Sequence, residues 1–300
     1  MTRALCLLAV CVPLAALADE PVRHPFLCTD NGLGKVMAVD AEGKVTWEYP
    51  GVVHCQDVWK LPNGHVLFSH LHGVKEVTLD EAKQVVWEYQ APAGSEVHNC
   101  QPLPDGGVLV GVNGLKKLLE LDRQGKVRKE VPFETTTAAV HGQMRLVRKL
   151  ANGHYLLCLM GEHLVRELDG DGQAVRTIKV PGDPFVAIRL PNGNTLIGCG
   201  DGHRVLEVDL ADTVVWQITE NELPGIPLRF VAGLERLANG HTVICNWGGH
   251  GHVGSQPQVL EVTPDKQVVW QVADYKTFRT ISNIYLLDQP GDPLKGEVLR

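Results

Sequence analysis

Short runs of alternating apolar and polar residues recur along the chain, each bounded by turn-forming residues. Residues 61–89, 103–131 and 190–218 are three copies of one pattern that align without a gap. Each copy opens on Leu-Pro-Asn-Gly or Leu-Pro-Asp-Gly, which is a strong hairpin signal because Asn, Asp and Gly tolerate a positive φ. No segment carries a helical period, so the pattern predicts an all-β chain.

Two looser copies, residues 150–180 and 237–272, extend the repeat. The leucines that anchor the five copies are Leu61, Leu103, Leu150, Leu190 and Leu237, at successive spacings of 42, 47, 40 and 47 residues. Each copy holds four strands: a short run before the leucine, a second after Asn-Gly, a third with alternating polarity, and a fourth of the type Gln-Val-Val-Trp. A period of about 40 to 50 residues with this strand content is typical of a propeller blade.

A sixth copy is split between the two ends of the chain. Residues 24–50 supply the second, third and fourth strands of a blade, and residues 281–287 supply a lone strand. We expect the lone strand to become the inner strand of the first blade, because this closure leaves no exposed sheet edge. The sequence therefore predicts one domain over residues 19–300, a six-bladed β-propeller of four-stranded blades.

The first 18 residues differ from the repeats. Arg3 precedes an apolar run over residues 5–14 that is too short to span a bilayer, and residues 16–18 have the small-residue spacing of a cleavage site. We interpret residues 1–18 as a signal peptide, which predicts a periplasmic or secreted protein. No later apolar segment has the length of a membrane helix, so the protein is not expected to span a membrane.

The charge and the cysteine content limit which binding partners and which disulfide bridges are expected. The chain has 28 Lys and Arg against 35 Asp and Glu and no basic cluster, so nucleic acid is not an expected partner. An oxidising compartment permits disulfides. Cys55 and Cys100 are the one pair considered for a bridge, whereas Cys28, Cys158 and Cys245 share one repeat position and are expected as buried thiols.

Four tryptophans occupy the fourth strand of their repeats. They are Trp47, Trp87, Trp216 and Trp270. A cofactor or carbohydrate site would use such rings, but one ring per blade at one register favours packing of blade against blade, because each ring buries a large area.

The histidines can be sorted by the end of the ring that they occupy. His24, His65, His154 and His241 follow the turn after the inner strand and belong to one end. Three His-Gln pairs lead into the inner strands of successive blades and belong to the other end: His54 with Gln56, His98 with Gln101, and His141 with Gln143. Because inner strands line the axis, we expect these pairs to converge on one half of the channel mouth.

The other three blades offer rings and cations at the same end. They contribute Phe185, Phe230 and Phe278, with Arg229 and Arg279, and Trp247 in the turn after the second strand of the last full repeat. Imidazole and amide groups facing rings and arginines suit a small aromatic anion, since Arg binds oxyanions in bidentate fashion. The predicted partner is a small organic anion.

Two other interpretations use the same residues. The His-Gln pairs could simply hydrogen-bond the loops and fix the blades, since buried histidines are often internally satisfied. Converging neutral imidazoles could also hold a metal ion, with His70, His72, His250 and His252 as further candidates, although none of these stands in a defined ligand motif. No cofactor is therefore expected.

The recurrent Leu-Pro/Ala-Asn-Gly, Glu-Val/Leu-Asp and Val-Val-Trp-Glu/Gln steps resemble the arylsulfotransferase-like and quinoprotein-like bacterial propellers. The resemblance covers about residues 24–290. It implies a histidine that carries a sulfuryl group, a role that falls to His54, His98 or His141, with help from Arg229 and Arg279. The additional N-terminal β-domain of the arylsulfotransferases has no counterpart in the repeat pattern. The alternative is a non-enzymatic periplasmic scaffold or ligand-binding propeller, whose partner is a ligand or a periplasmic protein.

Overall fold

The computed structural model describes residues 22–300, which form six antiparallel sheets arranged in a ring. The predicted six-bladed β-propeller is confirmed. The predicted signal peptide, residues 1–18, lies outside the described residues. Within residues 22–300 no helix is long and apolar enough to cross a membrane.

The strands of each blade follow one another from the inner strand, beside the axis, outward. Blade 1 consists of Ile281–Leu286, Phe26–Asp30, Lys35–Val39 and Val45–Pro50; blade 2 of Val58–Lys60, Val66–His70, Gly73–Val77 and Val85–Gln90; and blade 3 of Glu96–Val97 with Gln101–Pro102, Val108–Asn113, Lys117–Leu121 and Val127–Pro132. Blade 4 consists of Val147–Lys149, Tyr155–Leu159, Leu164–Leu168 and Ala174–Lys179; blade 5 of Val186–Arg189, Thr195–Gly198, Val205–Val208 and Val214–Ile218; and blade 6 of Val231–Arg236, Thr242–Asn246, Val259–Val262 and Val268–Val272. The described residues also hold three short 3-10 helices outside the strands, Val140–Gly142, Met160–Glu162 and Pro293–Lys295.

The ring closes within blade 1, as the split repeat predicts. The strand Ile281–Leu286 pairs antiparallel with Phe26–Asp30, and Phe26 faces Leu286 in this register. All six residues of Ile281–Leu286 are buried. The closing strand therefore covers what would otherwise be the open inner edge of the first blade.

The Asn-Gly and Asp-Gly turns set the register of the second strand in five blades. The glycine of each turn has a φ between 81° and 89°, a left-handed conformation that L residues adopt at a cost. In blade 2, Gly64 donates its N–H to the carbonyl of Leu61 at 3.0 Å, and the Asn63 side chain accepts from the N–H of His65 at 3.0 Å. These bonds explain why the motif recurs at every inner hairpin except the split one.

A buried glutamate on the third strand links neighbouring blades at the end of the ring where these turns lie. Each such carboxylate contacts a turn residue of its own blade and a basic side chain of the next blade. The sets are Glu76 with His65 and Arg123, Glu167 with His154 and Arg189, Glu207 with Asn194 and Arg236, and Glu261 with His241 and His24. We call these four sets the blade clasps; they explain the histidines at this end as structural.

The strand-four tryptophans pack between blades. Trp47 donates its indole N–H to the carbonyl of Asp80 in the next blade at 2.9 Å, and Trp216 donates to Pro264 at 2.8 Å. The Trp87 ring lies under the Arg123 guanidinium, and the Trp270 ring contacts His24 and Phe26 edge-on. The packing interpretation of these rings agrees with the structure.

The cysteines of residues 22–300 are all free and buried. The bridge considered between Cys55 and Cys100 is not formed: the Cys55 thiol lies against the carbonyl of Lys35, and the Cys100 thiol against the carbonyl of Asp57. Burial raises the pKa of the Cys55 thiol to about 12, so this side chain packs as a small apolar group.

The segment after Pro293–Lys295 covers the clasp end of the axial channel. Arg300 is 2% exposed and donates to Asn283 and to the carbonyl of Ile284, at 2.9 and 2.7 Å. Its guanidinium lies 4.6 Å from the Trp59 ring, beside the ion pair in which Arg148 contacts Asp57 at 2.8 and 3.0 Å. A pocket of about 350 Å³ remains between this segment and the inner strands of blades 3 to 5, and a larger one of about 610 Å³ lies at the opposite end of the axis.

Candidate functional site: a pocket on the propeller axis

A pocket of about 610 Å³ lies where the loops lead into the inner strands. Its lining comes from blades 1, 2, 4, 5 and 6, so the pocket sits on the axis. His54 and Val53 are exposed at its rim, whereas Phe185 and Gln56 are buried in its wall. A volume of this size suits a small organic molecule.

The three histidines of the His-Gln pairs lie together at this end. The ring centroids of His54 and His141 are 5.4 Å apart, and those of His98 and His141 are 5.0 Å apart. His54 and His141 line the pocket, whereas His98 is 1% exposed and lies behind His141. The repeat register thus places them correctly.

Glu96 joins two of these imidazoles. Its Oε2 atom lies 3.0 Å from His98 Nε2 and 2.8 Å from His141 Nδ1. Glu96 and His98 are two residues apart at the strand Glu96–Val97, and such residues lie on one side of an extended chain. The sequence patterns did not single out Glu96, because its role depends on the contact with His141 from the neighbouring blade.

The environment keeps the imidazoles of His98 and His54 neutral. Burial lowers the pKa of His98 to about 3, and burial with the neighbouring His141 lowers the pKa of His54. The hydrogen bond from His98, with that from His141, lowers the pKa of Glu96 to about 2. Glu96 is therefore a carboxylate that fixes the proton of His141 on Nδ1 and leaves Nε2 as a lone pair.

Arg145 is the cation of the pocket. It is 3% exposed, lines the wall beside His141, and donates to the carbonyl of His141. Within residues 22–300 no carboxylate lies within 4.0 Å of its guanidinium, and burial lowers its pKa to about 10. Its signal in the sequence is a lone charge in the otherwise apolar run from Met144 to Val147.

Arg229 and Arg279 were expected in this role, and the structure places both outside the pocket lining. Arg229 pairs with Glu220 at 2.8 Å, and Arg279 is exposed. Adjacent residues of an extended segment point to opposite sides. Phe230 faces the pocket, so its neighbour Arg229 faces away from it, whereas the Arg279 side chain packs along Gly32 at the edge of the pocket lining.

Three of the four expected aromatic residues form the apolar wall. Phe185 and Phe230 meet edge to face with centroids 5.9 Å apart, and Trp247 lies 5.1 Å from Phe230. Phe278 does not line the pocket; it packs against Phe26 between blades 6 and 1, with a centroid distance of 6.1 Å. The wall suits the face of a flat ligand.

The glutamines of the three pairs have different surroundings. Gln143 accepts from the N–H of Gly114 at 2.7 Å, and Gln101 accepts from the N–H of Lys149 at 2.7 Å, so both tie connections together. Gln56 alone lines the pocket. Gln101 and Gln143 therefore hydrogen-bond loops, as one of the sequence interpretations holds. Gln56 is the one glutamine of the three pairs that remains a candidate for contacting a ligand.

Among residues 22–300 one group could hold a metal ion, formed by Glu96, His98 and His141, whose ligand atoms lie within 4.8 Å of one another. The pairs expected from the sequence do not form such a group. His70 and His72 have centroids 6.4 Å apart, His250 contacts Asp201 at 3.3 Å and lines the pocket, and His252 is outside the pocket lining. Metal binding by His98 Nε2 would put a proton on its Nδ1, a buried atom with no hydrogen-bond partner among residues 22–300, so the three residues fit a hydrogen-bonded cluster centred on Glu96 better than a metal site.

The sequence model of the Mal s 1 allergenic protein-like family matches residues 36–267. The chain belongs to this family. Among curated proteins, none matches it in sequence. A protein of unknown function from Bacteroides caccae is 33% identical, with a TM-score of 0.81 over 89% of this chain and 100% of the other.

Two lyases share the fold. Virginiamycin B lyase from Staphylococcus aureus has a TM-score of 0.57 at 11% identity, over 88% of each chain. A streptogramin B lyase has a TM-score of 0.59 at 10% identity, over 90% of this chain and 95% of the other. At these identities the likeness is one of fold. The resemblance to arylsulfotransferase-like propellers is confirmed as far as the six-bladed architecture, and the matching family is the Mal s 1-like one.

Proposed function

We propose that the protein binds a small aromatic organic anion in the axial pocket. The observation that carries the proposal is Arg145, a buried guanidinium that lines the pocket without a carboxylate partner among residues 22–300. Burying a charge without a partner is costly, and a bound anion would provide the missing charge.

The rest of the pocket wall suits the aromatic ring of such a ligand. Phe185, Phe230 and Trp247 offer ring faces and edges, and the neutral His54 adds no competing anion or cation. An acid group at Arg145 would place an attached ring against this wall. The pocket volume of about 610 Å³ accommodates a ligand of that size.

A matched pair of ligands tests the proposal. Isothermal titration calorimetry compares 4-toluenesulfonate with the neutral 4-toluenesulfonamide, which has nearly the same shape. We expect only the anion to bind, and Arg145→Met to weaken its binding at least about tenfold, because a charged hydrogen bond contributes about 1.5–3 kcal/mol. Arg204→Met, on the same end of the ring but outside the pocket lining, is the control. Equal binding of both ligands, or unchanged binding by Arg145→Met, contradicts the proposal.

Sulfuryl transfer is a second candidate function, and the Glu96–His141 contact favours it. The Nε2 lone pair of His141 would attack the sulfur of an aryl sulfate; the N–S bond forms while the S–O bond to the aryl group breaks, and a phenolate leaves. An acceptor phenol then attacks the sulfur, and the N–S bond breaks with its electron pair returning to Nε2. The acceptor loses its proton to solvent, and this proton balances the one that the released phenolate gains. Arg145 would stabilise the sulfuryl oxygens throughout.

Release of 4-nitrophenol from its sulfate ester, with phenol as acceptor, tests this second function. We expect His141→Asn to abolish release while the protein still binds 4-toluenesulfonate, because a nucleophile is lost and the anion site is kept. Wild-type protein that binds the anion but releases no nitrophenol leaves the protein a non-enzymatic ligand-binding propeller.

The proposed setting is the periplasm or the cell exterior. It rests on the signal-peptide pattern of residues 1–18. The mass of the protein recovered from the exported fraction should correspond to a chain that begins at Asp19; an intact Met1 in that fraction would contradict cleavage.

A further inference from the structure

Three buried polar atoms in the pocket wall have no hydrogen-bond partner among the described residues. They are Asn31 Oδ1, Gln56 Oε1 and Trp247 Nε1. Gln56 is 5% exposed, so its amide is almost wholly enclosed. Two of the atoms accept hydrogen bonds and the indole N–H donates one.

Neighbouring polar groups of the same wall are satisfied, which sets these three apart. Thr280 Oγ1 accepts from the N–H of Gly32 at 2.7 Å, and Ser282 Oγ donates to the carbonyl of Cys55 at 2.8 Å. The main-chain oxygen of Gln56 accepts from Asn283 at 2.8 Å, so this bond holds the Gln56 backbone while its side-chain oxygen has no partner. A buried polar atom without a partner costs about 1–3 kcal/mol, and native proteins contain few of them.

The three atoms lie across the axis from the cation. Asn31 belongs to blade 1, Gln56 precedes the inner strand of blade 2, and Trp247 follows the second strand of blade 6. Arg145 precedes the inner strand of blade 4, which stands opposite blade 1 in a ring of six. The pocket therefore has a cationic side and a neutral polar side, with Phe185 and Phe230 between them.

We propose that the ligand is a hydroxyaryl acid: an aromatic anion that carries a hydroxyl group at the end opposite its acid group. The acid contacts Arg145, and the hydroxyl donates to the amide of Gln56 or Asn31 and accepts from Trp247. A hydroxyl serves both roles because it is at once a donor and an acceptor. This inference rests on the proposed function, since it specifies the ligand of the same pocket.

Two sulfonates of nearly the same shape test it. Calorimetry on the wild-type protein compares 4-hydroxybenzenesulfonate with 4-toluenesulfonate, in which a methyl group replaces the hydroxyl. We expect the hydroxyl compound to bind at least about tenfold more tightly, because the toluene compound leaves the buried amide without a partner. In Gln56→Met the ratio should fall towards one, through weaker binding of the hydroxyl compound.

Asn31→Leu provides a second variant should Gln56→Met not fold. Gln90→Met, at an exposed site outside the pocket lining, is the matched control, and its ratio of the two affinities should equal that of the wild type. A wild-type ratio near one with both compounds bound overturns this inference and leaves the anion site standing. A high ratio that survives in both Gln56→Met and Asn31→Leu also overturns it. Failure of both sulfonates to bind the wild-type protein overturns the proposed function itself.

Discussion

At the scale of the residue, burial decides what each ionisable group of the pocket can do. His98 and His141 share the carboxylate of Glu96, yet His98 is enclosed and His141 reaches the pocket. His98 orients the Glu96 carboxylate, and His141 presents its Nε2 atom to the pocket. Arg145 is equally enclosed, but its charge has no carboxylate within 4.0 Å in the described part of the chain, so it is the group that a ligand would complement.

The enclosed imidazole makes stability depend on pH. The folded-state pKa of His98 is about 3, below the ordinary histidine value of 6.5, so between these values the unfolded chain binds a proton that the folded protein does not. Stability from this site is complete above pH 6.5 and is lost as the pH falls, by at most about 3 kcal/mol at about pH 4.5. Thermal unfolding followed by circular dichroism should show a smaller loss between about pH 7 and pH 4.5 in His98→Gln than in the wild type. His72→Gln, at an exposed position, should behave as the wild type, and an equal loss in all three proteins would refute the assignment.

The site was only partly predictable, and the reason lies in side-chain direction. The repeat register located His54, His98, His141, Phe185 and Phe230, because corresponding positions of a repeat reach the same end of the ring. Arg229 was assigned to the same face as Phe230, although neighbours on an extended segment alternate, and Phe278 and Arg279 both lie outside the pocket lining. Arg145 and Glu96 were missed because their importance comes from burial and from contacts across blades.

At the scale of the element, the hairpin turn and the blade clasp repeat together. The turn residue that follows Asn-Gly contacts the third-strand glutamate of its own blade, and that glutamate contacts the next blade. Blade 1 has Ala38 where other blades have this glutamate, and it is also the blade whose inner hairpin is missing. In blade 1 the inner strand is therefore not joined to the second strand by a short turn. It is the strand Ile281–Leu286, which comes from the other end of the chain.

Closure can be tested by moving the strand. Deleting residues 281–300 removes six buried strand residues and exposes the edge of Phe26–Asp30, so we expect loss of cooperative thermal unfolding and aggregation. A rearranged chain, with residues 281–287 placed before residue 24 through a short Gly-rich hairpin, should recover a cooperative transition, since Leu286 already faces Phe26. A deletion variant with an unchanged melting curve would show that the strand is dispensable.

At the scale of the whole molecule, the two ends of the axis are unlike. At the clasp end Arg300 packs against Trp59 and Asn283 and leaves a pocket of about 350 Å³, whereas the other end holds the axial pocket of about 610 Å³. The blade count, strand content and closure were predictable from the repeat, since each follows from local turn chemistry and polarity. The covered channel end was not, because residues after the last strand carry no repeat and are fixed by contacts with Asp57 and Arg148 far away in sequence.

The central claim is that the axial pocket binds an aromatic anion through Arg145. The most direct measurement is a crystal structure of the protein with 4-bromobenzenesulfonate, in which anomalous scattering locates the bromine atom independently of any assumed pose. We expect the sulfonate within hydrogen-bond distance of Arg145 and the bromine across the axis, towards Asn31 and Gln56, with the ring against Phe185 and Phe230. A saturating ligand that binds elsewhere and leaves the axial pocket empty would show that Arg145 does not form the anion site.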